Sequence, residues 1–156
     1  MKLLRTEGVK RNYGTLEVLK GIDFEVEKGE VVAIVGPSGA GKSTFLQILG
    51  TLDKPDAGKV EISGTDVFNL RDKDLAKFRN EKIGFIFQFH NLMAEFTALE
   101  NVCMPGYIQG KIKEKDILKK GKQLLELLGL SDRLNNLPSQ LSGGEQQRVA
   151  VAQALL

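Results

Sequence analysis

Gly36, Pro37, Ser38, Gly39, Ala40, Gly41, Lys42 and Ser43 run consecutively and fit the pattern G-x-x-x-x-G-K-[ST]. Glycines let the backbone wrap until successive N–H groups converge on one concavity suited to an anion. Lys42 would supply a mobile cation for β- and γ-phosphates, and Ser43 a hydroxyl for a magnesium ion. Thr44, next in the chain, joins the same candidate set. The chemistry is the binding of a nucleoside triphosphate; the alternative is a structural glycine-rich turn. Kinases, GTPases, helicases and transport ATPases share such a loop, so it does not say what is done with the nucleotide. Further along, Leu141, Ser142, Gly143, Gly144, Glu145, Gln146, Gln147 and Arg148 place a serine and two glycines at the start of a helix. The exposed N–H groups and the helix dipole make a second anion site. The competing reading is a plain capping box, with Ser142 as cap and Glu145 reaching back to it.

The surrounding pattern supplies the elements that must hold these residues. Ile22 to Glu27 alternates apolar and acidic residues, as a strand with one buried face does. Val31 to Val35 is apolar throughout and predicts a strand covered on both faces in a parallel sheet. A helix should open near Gly41 and carry Phe45, Leu46, Ile48 and Leu49 before Gly50. Pro55 to Gly58 predicts a turn, and Val60 and Ile62 a short strand. Leu70 to Asn80 is polar and helical, with Leu75 and Phe78 its buried positions. Ile83 to Phe87 predicts a second buried strand ending on the polar Gln88. Thr97 and Glu100 form a capping box for a short helix that Pro105 should end. Ile117, Gly121, Leu124, Leu125 and Leu128 form one apolar stripe that Gly129 terminates. The helix from Ser142 should run to the last residue.

Composition restricts the class. The chain has 156 residues, 27% of them charged, and a net charge of +2, which gives no general reason to expect a nucleic-acid partner. The charged N-terminus is no secretory signal, and no window nears the ~20 apolar residues of a membrane span. A soluble chain is expected, with any membrane role reached through another subunit. The single cysteine, Cys103, has no CxxC partner and points to a reducing compartment rather than a metal site. His90, the only histidine, reads as a loop residue. Lys111, Lys113, Lys115, Lys119, Lys120 and Lys122 read as a solvated helix face, with weak attraction to anionic lipid heads the alternative.

Together, GPSGAGKS and LSGGEQQR resemble the phosphate loop and the signature motif of the ATP-binding-cassette family. Gln88 matches that family's Q-loop and Tyr13 the aromatic that stacks on adenine, in the family's order, from about Leu3 to Leu156. More narrowly, the stretch from Ile83 to Leu92, followed by Phe96 to Val102, is similar to the lipoprotein-releasing ATPases, which group with macrolide-exporter and cell-division cassettes. The resemblance implies an α/β P-loop core with a small antiparallel β part and a helical subdomain. Its divisions would be 1–88 (the core with the loop), 89–141 (the helical subdomain) and 142–156 (the signature helix). It implies ATP and Mg2+ as cofactors, the metal held at Ser43 and Gln88. Two subunits would face head to tail, with Ser142, Gly143, Gly144 and Glu145 of one meeting the ATP of the other. A transmembrane permease would dock near Phe89 to Phe96, where Leu92 and Met93 also lie, unless these residues pack inside. The protein would then sit in the cytoplasm, peripheral on the inner face of the membrane, and power export or extraction of a lipophilic cargo.

The family also uses an aspartate and a glutamate after the signature helix, and later a histidine. No apolar run beyond Gln88 ends in Asp or Glu, and the sequence stops at Leu156, so no catalytic residue is identified. The expectation is the N-terminal portion of a longer ATPase, lacking the C-terminal half of the core, folding poorly and not hydrolysing ATP by itself. Val31 to Val35 and Ile83 to Phe87 should then lack part of their cover. Gln153 stands where the family usually has arginine. Two other readings stay open: a fragment that binds nucleotide without hydrolysis, and a soluble cassette protein of DNA repair.

Overall fold

The alternation at Ile22 to Glu27 belongs to a longer strand, β2 (Leu16–Glu27), in which Ile22, Phe24 and Val26 are half-buried and the acidic residues between them exposed. β2 pairs antiparallel with β1 (Lys2–Tyr13), which pairs in turn with β3 (Ala57–Ile62), and β3 with β4 (Thr65–Asp66). The sheet order is β2-β1-β3-β4. The sequence pattern did not predict β1, because register shifts between Thr6 and Val9, with Gly8 at φ 55°, take its apolar residues out of period two. The computed structural model describes residues 2–156, in two units that divide between Ala76 and Lys77.

In the first unit the sheet carries α1 (Lys42–Leu49), whose Phe45 meets Phe24 edge to face at 5.6 Å between ring centroids. Val9, Leu19, Ile48, Val60 and Val67 are fully enclosed. Val60 and Ile62 are buried as their alternation predicts.

The second unit packs α3 (Ala98–Gln109), α4 (Glu114–Leu127) and α5 (Gly143–Leu155) around Ala98, Val102, Leu125, Leu130, Val149 and Ala152. The α4 stripe is buried at Ile117, Gly121 and Leu125. Gly129, at φ 71°, lets Leu130 N–H reach back to Leu125 O at 2.8 Å and close the helix. A side chain at Gly121 would begin 2.7 Å from Cys103 Sγ, so the glycine sets how closely α3 and α4 approach. Cys103 is buried there, and burial pushes its thiol upward. Both capping boxes form as predicted, at Thr97–Glu100 and Ser142–Glu145.

Four expectations need correction. Val31 to Val35 is not a strand: it joins no sheet among the described residues, and Val31 is 97% and Val35 86% exposed. Ile83 to Phe87 likewise joins no sheet, with Ile86 and Phe87 exposed. Apolar runs become buried parallel strands only when neighbours on each side take up their N–H and C=O groups, and the four-stranded sheet offers neither segment a place. The lack of cover expected for both segments is what the exposures show. In α2 (Asp72–Lys82), Leu75 and Phe78 are only half-buried, because this polar helix buries no residue fully. Finally, Pro105 does not end α3, which continues to Gln109 and stops at Gly110, φ 65°. Proline removes the N–H that would serve the carbonyl of Asn101 four residues back. Gln153 of α5 replaces it, its Nε2 donating to Asn101 O at 2.9 Å.

Candidate functional site

The loop from Gly36 to Gly41 is shaped by backbone that only glycine adopts freely: φ is 150° at Gly36, 78° at Gly39 and 84° at Gly41. Ala40 N–H donates to Pro37 O at 3.3 Å, tightening the turn. Lys42 Nζ spans the loop, donating to Gly36 O at 2.8 Å and Pro37 O at 2.7 Å. Gly41 is also required by space, since a Cβ there would lie 2.9 Å from Leu19 Cδ2 and 3.2 Å from Val18 O. The loop is thus seated on β2.

Gly41 caps α1 without a side-chain bond, and no acidic residue stands in the first turn. The opening N–H groups of this helix, at Lys42, Ser43 and Thr44, therefore meet no carboxylate of their own, and Ser43 is exposed beside them. An oxyanion there would gain the helix dipole and unspent donors together.

The α5 terminus is built differently. Glu145 Oε2 accepts from Ser142 N–H at 2.8 Å and from Ser142 Oγ–H at 2.9 Å, while Ser142 Oγ accepts from Glu145 N–H at 3.3 Å. Glu145 Oε1 accepts from Arg133 Nε at 2.9 Å. The Ser142 N–H, then Arg133 and the Ser142 hydroxyl, hold the Glu145 carboxyl down at about 2. Gly143 and Gly144 have no positive φ; a Cβ on Gly143 would meet nothing within 4 Å, and one on Gly144 only Arg148 Nη1 at 3.9 Å. Neither glycine is demanded by fold or by crowding, although glycine in a helix costs roughly 0.5–1 kcal/mol relative to alanine. What the pair provides is clearance for something approaching the bare main chain from outside.

Tyr13 ends β1, half in the open, and its hydroxyl donates to Asp53 Oδ2 at 2.9 Å. Gln88 is exposed, and the chain reverses just beyond it through left-handed His90 (φ 60°) and Asn91 (φ 49°). The buried Asn101 fastens the following turn, accepting from Met93 N–H at 2.8 Å and donating to the carbonyls of Met93, Phe96 and Thr97. Phe89 is 83% exposed, and Met93 and Phe96 are exposed as well, whereas Leu92 packs against the helical core. The Gly36–Gly41 loop and Tyr13 thus belong to the first unit, and Gln88 and the Ser142 turn to the second. Sequence reasoning missed Arg11, Asp53, Asn101 and Arg133. Only Arg11 carried a local signal, lying two residues from Tyr13 and so on the same face of β1. Among the described residues no three of His, Cys, Asp and Glu cluster as a metal site, and no helix is long and apolar enough to cross a membrane.

Residues 19–156 match the ABC transporter family. The chain is a member of that family. It is 55% identical over 154 residues to the lipoprotein-releasing system ATP-binding protein LolD of Bacteroides thetaiotaomicron, covering 99% of this chain and 70% of the relative. To the protein of the same name from Cytophaga hutchinsonii it is 56% identical over 155 residues, covering 99% and 70%. Among solved structures, the dimeric ABC transporter cassette MJ0796 superposes with a TM-score of 0.90 at 41% identity, over 97% of this chain and 68% of that one. The same cassette in a dimeric post-hydrolysis state bound to ADP and Pi gives 0.89 at the same identity and coverage. The fold of this ABC chain is accordingly the α/β P-loop ATPase fold, and its class of activity that of the ABC ATPases.

Proposed function

We propose that the chain is the nucleotide-binding subunit of an ABC transporter that extracts or exports a lipophilic cargo, lipoprotein being the cargo system named for its relatives. One observation carries the reading: two helix N-termini are kept open to an oxyanion, α1 by the absence of any capping side chain or carboxylate and α5 by two glycines that nothing inside the fold requires. The loop Gly36 to Thr44 would take the triphosphate of ATP, with Lys42 turning its ammonium from the loop carbonyls to the phosphates and Tyr13 taking the base. Ser142, Gly143, Gly144 and Glu145 of a second, head-to-tail subunit would close over the γ-phosphate. Ser43 and Gln88 offer neutral oxygens of the kind Mg2+ accepts alongside phosphate; the ion, when bound, neutralises phosphate charge. Preference of ATP for the closed pair is then the source of work on a partner.

That partner is a transmembrane permease seated on Phe89, Met93 and Phe96, which would hold this ABC chain on the cytoplasmic face of the membrane. For the 156 residues by themselves the proposal is binding and pairing without turnover, since no residue here matches the family's two carboxylates or its histidine. Lys42→Glu should abolish binding of Mg-ATP measured by equilibrium dialysis, and ATP should shift the protein to a dimer in sedimentation velocity. Unchanged nucleotide affinity in Lys42→Glu would overturn the assignment.

A further inference from the structure

Tyr13 is not a free surface ring. The Arg11 guanidinium lies 4.9 Å from its centroid, on one face, and its hydroxyl is tied to Asp53. Arg11 is fixed in turn by a fork, Nε to Asp53 Oδ2 at 3.0 Å and Nη2 to Asp53 Oδ1 at 2.8 Å, while Nη1 reaches Asp56 Oδ1 at 3.0 Å. Asp56 Oδ2 accepts from Asn12 N–H at 2.6 Å, binding the turn after α1 to the end of β1. The clamp is more enclosed than the ring: the Arg11 and Asp53 side chains are each 22% exposed, and Tyr13 is 46% exposed. The same hairpin end bears on the phosphate loop, because Tyr13 pairs with Leu16, Arg11 pairs with Leu19, and Val18 and Leu19 touch Gly41.

We propose that Arg11, Asp53 and Asp56 are positioning residues that hold Tyr13 as a rigid stacking platform with one face left for the nucleobase of the bound triphosphate. The proposal rests on the nucleotide-binding reading above and adds to it how the base is met. A guanidinium on one face leaves a base only the other. A hydroxyl already spent on Asp53 contributes through the fixed position it gives the ring. Ordering one mobile side chain on binding weakens affinity about two- to tenfold, so a ring ordered beforehand avoids that loss.

The test compares Mg-ATP with inorganic tripolyphosphate, which lacks the base, by equilibrium dialysis against the full chain. Tyr13→Ala should weaken ATP about tenfold and leave tripolyphosphate unchanged. Asp53→Ala should weaken ATP about two- to tenfold, again without touching tripolyphosphate. The double variant Tyr13→Ala/Asp53→Ala should bind ATP no more weakly than Tyr13→Ala, because a clamp without its ring has nothing to position. Equal loss of both ligands in Asp53→Ala would make the cluster a support of the fold and overturn the proposal. Independent, additive losses in the double variant would overturn it as well. If Tyr13→Ala leaves ATP affinity intact there is no platform and the proposal falls, while Lys42→Glu against tripolyphosphate decides the phosphate-loop reading separately.

Discussion

Replacing Gly144 by alanine sets the stability of α5 against its use. The residue sits in the first turn with ordinary helical φ, and the added methyl would meet only Arg148 Nη1, at 3.9 Å, an unstrained contact. Nothing in the folded protein opposes the change, so the helix should gain about 0.5–1 kcal/mol from the lost backbone freedom of the unfolded chain. For a chain of this size that corresponds to a rise in Tm of roughly 1–4 °C. Pairing should move the other way. An oxygen accepting from a main-chain N–H lies ~2.9 Å from the nitrogen, and a methyl on the neighbouring Cα intrudes on that approach. A loss of ~2 kcal/mol, more than tenfold in association, follows from one such charge-assisted bond. Circular dichroism melts read the first effect; sedimentation with Mg-ATP and with ADP reads the second. An alanine variant that melts higher and still pairs as tightly with ATP would show that the glycines are not there for a ligand.

Three other outcomes follow from the geometry. Gly41→Ala should destabilise by ~1–3 kcal/mol in thermal unfolding, since φ 84° and a Cβ 2.9 Å from Leu19 Cδ2 both resist it. Gln153→Ala should cost ~1–3 kcal/mol by stranding the Asn101 carbonyl. Adding Pro105→Ala should return most of that loss in urea melts, because the alanine N–H can serve the same carbonyl. Glu145, held at about 2 against an ordinary 4.5, adds stability that is complete above pH 4.5 and disappears as pH falls through about 2. The stability slope between about pH 5 and pH 2 should therefore be shallower in Glu145→Gln.

The parts legible in the sequence were those whose cause is local. The capping boxes at Thr97 and Ser142 and the stop at Gly129 need only a few neighbouring residues, and the structure contains all three. The turn from Gly36 to Gly41 was equally local, because glycine is what lets these positions take positive φ. Long-range circumstances defeated the rest. Whether Val31 to Val35 becomes a strand depends on which other strands lie beside it, and its composition does not carry that information. Pro105 stays inside α3 because of an amide 48 positions later in the chain, a bond between Gln153 and Asn101 that no window around the proline could reveal. Tyr13 was visible as a candidate, but its clamp requires Asp53, which reaches it only when the turn after α1 returns to β1.

Three of the five α-helix N-termini among the described residues, those of α3, α1 and α5, form a graded series, and the grading sets an order of events. At α3 the Thr97–Glu100 box takes the Glu100 N–H, while Ala98 N–H donates to Asn136 O at 2.8 Å and Leu99 N–H to Leu134 O at 3.0 Å, so no donor is left for a ligand. At α1 neither a capping side chain nor a carboxylate is present, so a polyanion meets only attraction there, strengthened by Lys42. At α5 the box is made but the glycines keep the approach clear, and the Glu145 carboxylate would repel a phosphate were it not paired with Arg133. Attraction at α5 is therefore partial. A nucleotide free in solution should settle first on the α1 loop, and the α5 terminus should gain its phosphate only as a second subunit delivers it. Removing Arg133 would leave the carboxylate uncompensated, so Arg133→Ala should impair pairing while sparing the affinity of the single subunit for ATP.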